Sequence, residues 1–299
     1  FPVDKIIGRI YPFFGALLLI GTLAMCVALF YNVFKDPSLL AQSEGFLQHK
    51  FTAENNFPIV PMLFVTIACG IISGFHATQS PIIARTMKSE RQARSSFYGM
   101  MVAEGLIAMI WAGAGLAIYN LFPELMQKAA PKVLLDVTDY FLGSGLGLVT
   151  ILGVIALAIT SGDTAMRALR LSLAEIMGID QKSLKNRVLL CLPLIAVVVV
   201  LVAWSNISAD TFMYLWNYFA WGNQVLAAST LMACAAWLWS LGKFGWIAAL
   251  PGAFMAFVVF TYILWISPDH GGPAGFGLDL HTAYAVALAL TLVLLGWVY

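Results

Sequence analysis

The chain has 299 residues, of which 61% are apolar and only 10% charged, with a formal net charge of +1. Soluble domains carry roughly 45 to 50% apolar and 25% charged residues, so this set cannot dress a globular surface and lipid must be the main solvent. Neither a nucleic-acid-binding surface nor a soluble catalytic domain has any support here.

A bilayer core about 30 Å thick needs about 20 apolar residues per helix. Runs of this kind fall at 12–32, 57–75, 97–119, 144–160, 188–204, 212–240, 245–266 and 282–299. None shows the alternation of a membrane barrel strand, so the expected class is an all-α membrane protein of about eight transmembrane helices in one domain over 1–299. The first run is too long for a signal peptide and lacks its cleavage site. The opening Phe1-Pro2 in place of Met points to a truncated chain. Cys26, Cys69, Cys191 and Cys234 stand singly in apolar runs, so neither disulfides nor a metal site is expected. Gly143, Gly145 and Gly147 follow no strand and suit close helix packing better than dinucleotide binding.

With the first span running outward, the inner segments hold Lys5, Arg9, Arg85, Lys88, Arg91, Arg94, Arg167, Arg170, Lys182, Lys185, Arg187 and Lys243, and the outer ones only Lys35, Lys50, Lys128 and Lys132. The excess of basic residues places both ends in the cytoplasm. In the outer segment 120–143, Val133, Leu134, Val137, Tyr140 and Phe141 follow helical spacing. They fit either a short helix lying on the bundle or ordinary loop packing.

Two spans end in residues that a plain helix avoids. The second closes on Ser73-Gly74-Phe75-His76-Ala77-Thr78-Gln79-Ser80-Pro81, where Gly74 and Pro81 bracket a polar stretch and predict an unwound segment. Such breaks bind solutes in transporters, which makes Gly74, His76, Thr78, Gln79 and Ser80 candidate substrate-binding residues. The alternative is a helix that simply ends at the cytoplasmic surface in a turn closed by proline. The fourth span closes on Thr160-Ser161-Gly162-Asp163-Thr164-Ala165. Gly162 weakens the helix, Ser161 or Asp163 can cap a new one, and Thr160, Ser161 and Asp163 form an all-oxygen set suited to Na⁺ or to a proton. The alternative is an Asp163–Arg167 ion pair at i and i+4.

Glu104 lies eight residues beyond Ser96, about 12 Å into its helix. It is the deepest acid and a candidate for ion or proton coupling, with His76 as a candidate partner, or else structural glue. In the sixth span Tyr214, Asn217, Tyr218, Trp221 and Gln224 fall along one face, and Asn217 and Trp221 join the substrate-binding candidates. An interfacial aromatic belt is the alternative for the rings, and hydrogen-bonded bundle packing for Asn217, Asn223 and Gln224.

These residues together resemble the carbon starvation protein A family. The resemblance is carried, in order, by Ser73 to Pro81 with Ala84-Arg85, by Tyr98-Gly99 and Ala103-Glu104-Gly105, by Thr160 to Ala165, and by Tyr218-Phe219-Ala220-Trp221. It implies a bacterial inner-membrane transporter associated with peptide or pyruvate uptake, and a relationship to the amino acid, polyamine and organocation transporters with their five-plus-five inverted repeat. The first, second, fourth and sixth spans would then be helices five, six, eight and ten, with hydroxyls of helix eight at a cation site mapping to Thr160 and Ser161. The family's glycine- and histidine-rich motif has no counterpart here, which implies that the N-terminal half of the protein is missing and that this piece alone does not transport.

The expected function is secondary transport by alternating access. A small carboxylate or short peptide binds near Gly74 to Ser80, and H⁺ or Na⁺ is coupled through Thr160, Ser161, Asp163 or Glu104. The expected partners are the solute, the bilayer and the missing half, with no cofactor beyond a coupling ion. A nutrient sensor is the alternative, and an intramembrane enzyme is disfavoured because no His-x-x-x-His or Gly-x-Ser-x-Gly spacing occurs.

Overall fold

Backbone polar groups immersed in lipid must be satisfied within the chain, and the computed structural model obeys this with helices and short turns. It describes residues 3–41, 58–67, 72–122, 124, 130–270 and 272–299, among which no strand occurs. In chain order the helices are α1 (Val3–Lys35), α2 (Ser38–Ala41), α3 (Ile59–Ile67), α4 (Gly74–Thr86), α5 (Met100–Leu121), α6 (Ala130–Ile176), α7 (Leu184–Ser205), α8 (Ala209–Ser240), α9 (Trp246–Trp265) and α10 (Leu280–Val298).

Among the described residues, six segments are long and apolar enough to cross a membrane: Tyr11–Lys35, Glu90–Tyr119, Pro131–Ile176, Leu184–Ser205, Trp246–Trp265 and Leu280–Val298. Six of the expected runs fall on them. The run at 212–240 lies inside α8, which has the length but is diluted by Asn217, Asn223 and Gln224. The run at 57–75 is divided between α3 and the turn before α4, with 68–71 outside the described residues. Residues 42–57 and Cys69 also lie outside them.

The chain divides into two compact units. The first contains α1, α2, α5 and α6 as far as Leu171. Its core gathers Met25, Ala114, Ala117, Ile118, Val137 and Phe141, and the Trp111 indole N–H donates to the Thr22 hydroxyl at 3.1 Å, tying α5 to α1. Helices in lipid associate through close packing, which small residues permit. Gly153 of α6 lies so near α1 that an added methyl would stand 2.9 Å from the Leu18 backbone nitrogen. α6 breaks at Gly143, whose φ of 69° and ψ of 172° suit glycine. The residues before the break are helical, the first of the two readings that 133–142 allows, with Val137 and Phe141 buried and Leu135 exposed.

The second unit contains α3, α4 and α7 to α10. Its centre is α9, whose most apolar stretch is 56% buried, against 6% for α7, so α7 presents nearly its whole circumference outward. Small residues again set the packing: a methyl at Gly252 of α9 would lie 3.1 Å from the Leu231 Cβ of α8. In α3, Val60 leaves the helical region (φ −102°, ψ 120°) because it precedes Pro61. Its carbonyl accepts the Tyr284 hydroxyl of α10 at 2.6 Å. The Gly- and Pro-rich loop after α9 folds back so that the Phe276 and Leu278 amides donate to the Ile263 and Leu264 carbonyls, at 3.0 and 2.9 Å. Asp279 then caps α10, accepting from the Thr282 amide at 3.0 Å. Hydrogen bonds from Thr282 hold the Asp279 carboxyl below its usual value.

Two sets of variants test this packing, with unfolding in detergent as the readout. Phe141→Ala removes a core ring and should cost about 3 kcal/mol, while Leu135→Ala on the exposed face of the same short helix should cost well under 1 kcal/mol. Gly153→Ala must push α1 away and should cost about 1 to 3 kcal/mol. Gly162→Ala meets nothing within 4 Å and should stabilise α6 by about 0.5 to 1 kcal/mol; a loss at Gly162 would show that the helix is not continuous there.

Candidate functional site

The second expected span resumes at Ser73, an extended residue (φ −95°, ψ 136°) whose hydroxyl caps α4 by accepting the Phe75 amide at 3.2 Å. The same oxygen meets the Asn223 side chain of α8, with Oδ1 at 3.3 Å and Nδ2 at 3.2 Å. Gly74 is buried in this crossing: a methyl there would run into the Asn223 carbonyl and lie 2.8 Å from the Leu226 Cβ. The Phe75 and Phe219 rings continue the contact, 5.9 Å apart. Gly74 therefore serves close packing.

The expected unwinding between Gly74 and Pro81 does not occur, since α4 is helical from Gly74 through Thr86 with Pro81 inside it. Neighbouring hydroxyls explain this. Pro81 deprives the Ala77 carbonyl of its helical donor, and the Ser80 hydroxyl, which donates to the His76 carbonyl, lies only 3.4 Å from that of Ala77. The Thr78 hydroxyl donates to the Phe75 carbonyl at 2.9 Å. The non-helical backbone lies earlier, at Ile72 and Ser73. His76, Gln79 and Ser80, at i, i+3 and i+4, share one half-buried face of α4, and Thr78 is turned from it.

On α8, the residues meeting α4 are Phe219, Asn223 and Leu226. Trp221 lies on another stripe and donates its indole N–H to the Val259 carbonyl of α9 at 3.1 Å. Asn217, one turn earlier, is half-buried on the same stripe. The substrate-binding candidates thus occupy two faces, one on α4 and one on the α9 side of α8. Asn223, expected only as bundle packing, is the residue that joins α4 to α8. Tyr218 donates to the Ala274 carbonyl at 2.8 Å, anchoring the loop after α9.

The coupling candidates lie in the first unit. α6 runs unbroken through Gly162 to Ile176, which corrects the expected interruption. One glycine costs only about 1 kcal/mol in a helix. The local hydroxyls reinforce the helix, with Thr160 donating to the Leu157 carbonyl at 2.8 Å and Thr164 to the Thr160 carbonyl at 2.9 Å. Asp163 is no cap: its Oδ2 accepts from the Arg167 guanidinium and from the Tyr11 hydroxyl of α1, each at 3.2 Å. The ion pair at i and i+4 therefore forms, and Tyr11, which sequence spacing did not single out, extends it across 152 residues of chain. Thr160, Asp163, Thr164 and Arg167 share a face, with the half-buried Ser161 turned from it.

Glu104 is exposed on α5, in the same unit as Asp163 and a different unit from His76. Among the described residues, no group of three or more His, Cys, Asp or Glu side chains could hold a metal ion. A groove of about 420 Å³ on α8, α9 and α10, lined by residues including Met232, Ala256, Phe260 and Leu294, contains none of the expected site residues.

The arrangement can perform two kinds of chemistry. A carboxylate held by a phenol and a guanidinium can exchange its partners on taking up a proton or cation, and a half-buried face of imidazole, amide and hydroxyl groups can hold a small polar solute. An uncharacterized membrane protein of Haemophilus influenzae is 47% identical over 139 residues, covering 43% of this chain and 37% of that protein. The Escherichia coli protein named peptide transporter CstA is 25% identical over 271 residues, covering 68% of this chain and 39% of its own length. The Escherichia coli protein named pyruvate/proton symporter BtsT is 42% identical over 53 residues, 17% of this chain and 7% of that protein. The chain thus spans less than two-fifths of the length of each of these relatives. No solved structure matches it. The family model described as carbon starvation protein CstA matches residues 11–138 and 144–262, most of an apolar, all-helical chain, so the chain belongs to the carbon starvation protein CstA family.

Proposed function

We propose that this protein is a secondary active transporter that takes up a small organic solute across the bacterial inner membrane, coupled to H⁺ or Na⁺, by alternating access. The observation that carries this reading is Asp163, a carboxylate within a membrane-spanning helix, bonded both to Arg167 and to the Tyr11 phenol of another helix. Ionisable groups inside membrane helices are costly and mark ion or proton pathways.

The names of similar proteins, a peptide transporter and a pyruvate/proton symporter, support a short peptide or a pyruvate-like carboxylate as solute. In this reading His76, Gln79 and Ser80 of α4, with Asn217 and Trp221 of α8, bind the solute, while Gly74 sets the close approach of α4 to α8 and Thr78 bonds within its own helix. Thr160, Ser161, Asp163 and Glu104 serve coupling. The distribution of basic residues supports cytoplasmic placement of both ends, and the family resemblance supports the five-plus-five architecture. The role is transport rather than catalysis, with the coupling ion as the only cofactor.

Uptake by the full-length protein in proteoliposomes tests this reading. Under an inward proton or sodium gradient, radiolabelled pyruvate or dialanine should accumulate. Asp163→Asn should reduce gradient-driven accumulation at least tenfold, a loss of roughly 1.4 kcal/mol, while leaving solute exchange across the membrane measurable. Glu104→Gln and His76→Ala should each lower uptake. If all three variants accumulate solute like the parent protein, the site assignment falls.

A further inference from the structure

Hydroxyl groups inside these helices follow a common pattern. Thr138, Thr150, Thr164, Ser229, Thr230 and Thr291 each donate to the carbonyl four residues earlier. This bond needs no tertiary partner and satisfies the group wherever the helix lies. Thr261, inside α9, has the same option in the Phe257 carbonyl. It is fully buried, yet its hydroxyl forms no hydrogen bond.

The next residue repeats the exception. Tyr262 is 1% exposed and its hydroxyl also has no partner. Among the described residues these two neighbours supply all the buried side-chain nitrogen and oxygen atoms left without a hydrogen bond. A buried donor without an acceptor bears its full desolvation penalty, and these two stand in succession at the centre of a unit with no acceptor from the protein.

The surroundings narrow which acceptor would suit them. Tyr262 packs among Val65 of α3, Val258 and Trp265 of α9, Ala283 of α10 and Trp221 of α8. The Trp221 indole bonds to the carbonyl of Val259, one turn before Tyr262, so the α8 stripe carrying the proposed solute ligands lies along this stretch of α9. The irregular turn of α3 at Val60 packs against the same cluster. Neutral hydroxyl donors in apolar surroundings suit a neutral oxygen acceptor. A bare carboxylate would be costly to bury among valine, alanine and tryptophan.

We propose that Thr261 and Tyr262 are solute-binding residues that donate hydrogen bonds to a carbonyl oxygen of the transported molecule, either a peptide amide or the keto group of a 2-oxo acid. The inference rests on the transporter reading above and adds to it a second pair of ligands and the chemistry they select. Both hydroxyls are enclosed, so binding at them requires this cluster to open.

The experiment combines uptake with stability for the parent protein, Tyr262→Phe and Thr261→Val, using pyruvate and dialanine as probes. Tyr262→Phe should raise KM for the accepted probe roughly tenfold, the scale of one lost hydrogen bond. The solute-free melting temperature in detergent should stay the same or rise, because an unsatisfied group has been removed. Thr261→Val should show the same pattern. Unchanged KM in both variants overturns the proposal, as does a lower solute-free melting temperature, which would mean that the hydroxyls have structural partners. A parent protein that carries neither probe instead defeats the solute class proposed above and this inference with it, whereas normal uptake with unaltered KM in the variants defeats only this inference.

Discussion

The rest of this structure depends on the requirement that every hydrogen-bonding group buried away from water find a partner within the protein. In lipid a lost backbone bond has no solvent to replace it, so the described apolar spans are helical, and polar side chains are tied into the same accounting. The Ser80 hydroxyl turns back onto the helix backbone beside Pro81, donating to the His76 carbonyl. Tyr284 reaches the carbonyl that the Val60 turn exposes, and the loop after α9 returns its amides to that helix's last carbonyls. Each device lets a residue that should interrupt a helix, or end one, remain where packing wants it.

Where helices meet, close approach takes over from hydrophobicity as the organising force, because lipid tails are as apolar as leucine. Gly153, Gly252 and Gly74 stand where another helix leaves no room for a methyl group. Gly74 shows how this serves the candidate site. By bringing the start of α4 onto the backbone of α8 it lets Ser73 and Asn223 bond, and that contact fixes the register in which His76, Gln79 and Ser80 are presented. The residue type that weakens a helix in isolation here holds two helices together.

This difference explains what could be read from the sequence. Span length depends only on composition along the chain, and the runs at 12–32, 188–204, 245–266 and 282–299 fall on helices. The amphipathic spacing of Val137 and Phe141 was equally local, and both are buried in the first unit's core. The helix breaks that Gly74, Pro81 and Gly162 predict do not occur, because neighbouring hydroxyls donate to the local carbonyls and one glycine costs a helix only about 1 kcal/mol. Partner choice was illegible for another reason. Nothing near Asp163 announces Tyr11, 152 residues away, and nothing near Ser73 announces Asn223, because packing of distant helices decides both contacts.

A molecule so consistent in satisfying its polar groups makes any departure informative. Sequences that fold well agree with local rules almost everywhere, and the exceptions concentrate where function requires them. Asp163 is an exception of composition, a carboxylate in a span that could have been wholly apolar, and it is held by a phenol and a guanidinium that can both exchange partners when its charge changes. Thr261 and Tyr262 are exceptions of bonding, two adjacent hydroxyls without acceptors on the most buried of the candidate spans. A purely structural helix would gain stability from valine and phenylalanine at these positions. Keeping the hydroxyls makes physical sense if the missing acceptor arrives with the solute, so that binding supplies the hydrogen bonds the empty protein lacks, and that difference between empty and loaded states is the free energy a transporter can use to favour one conformation over another.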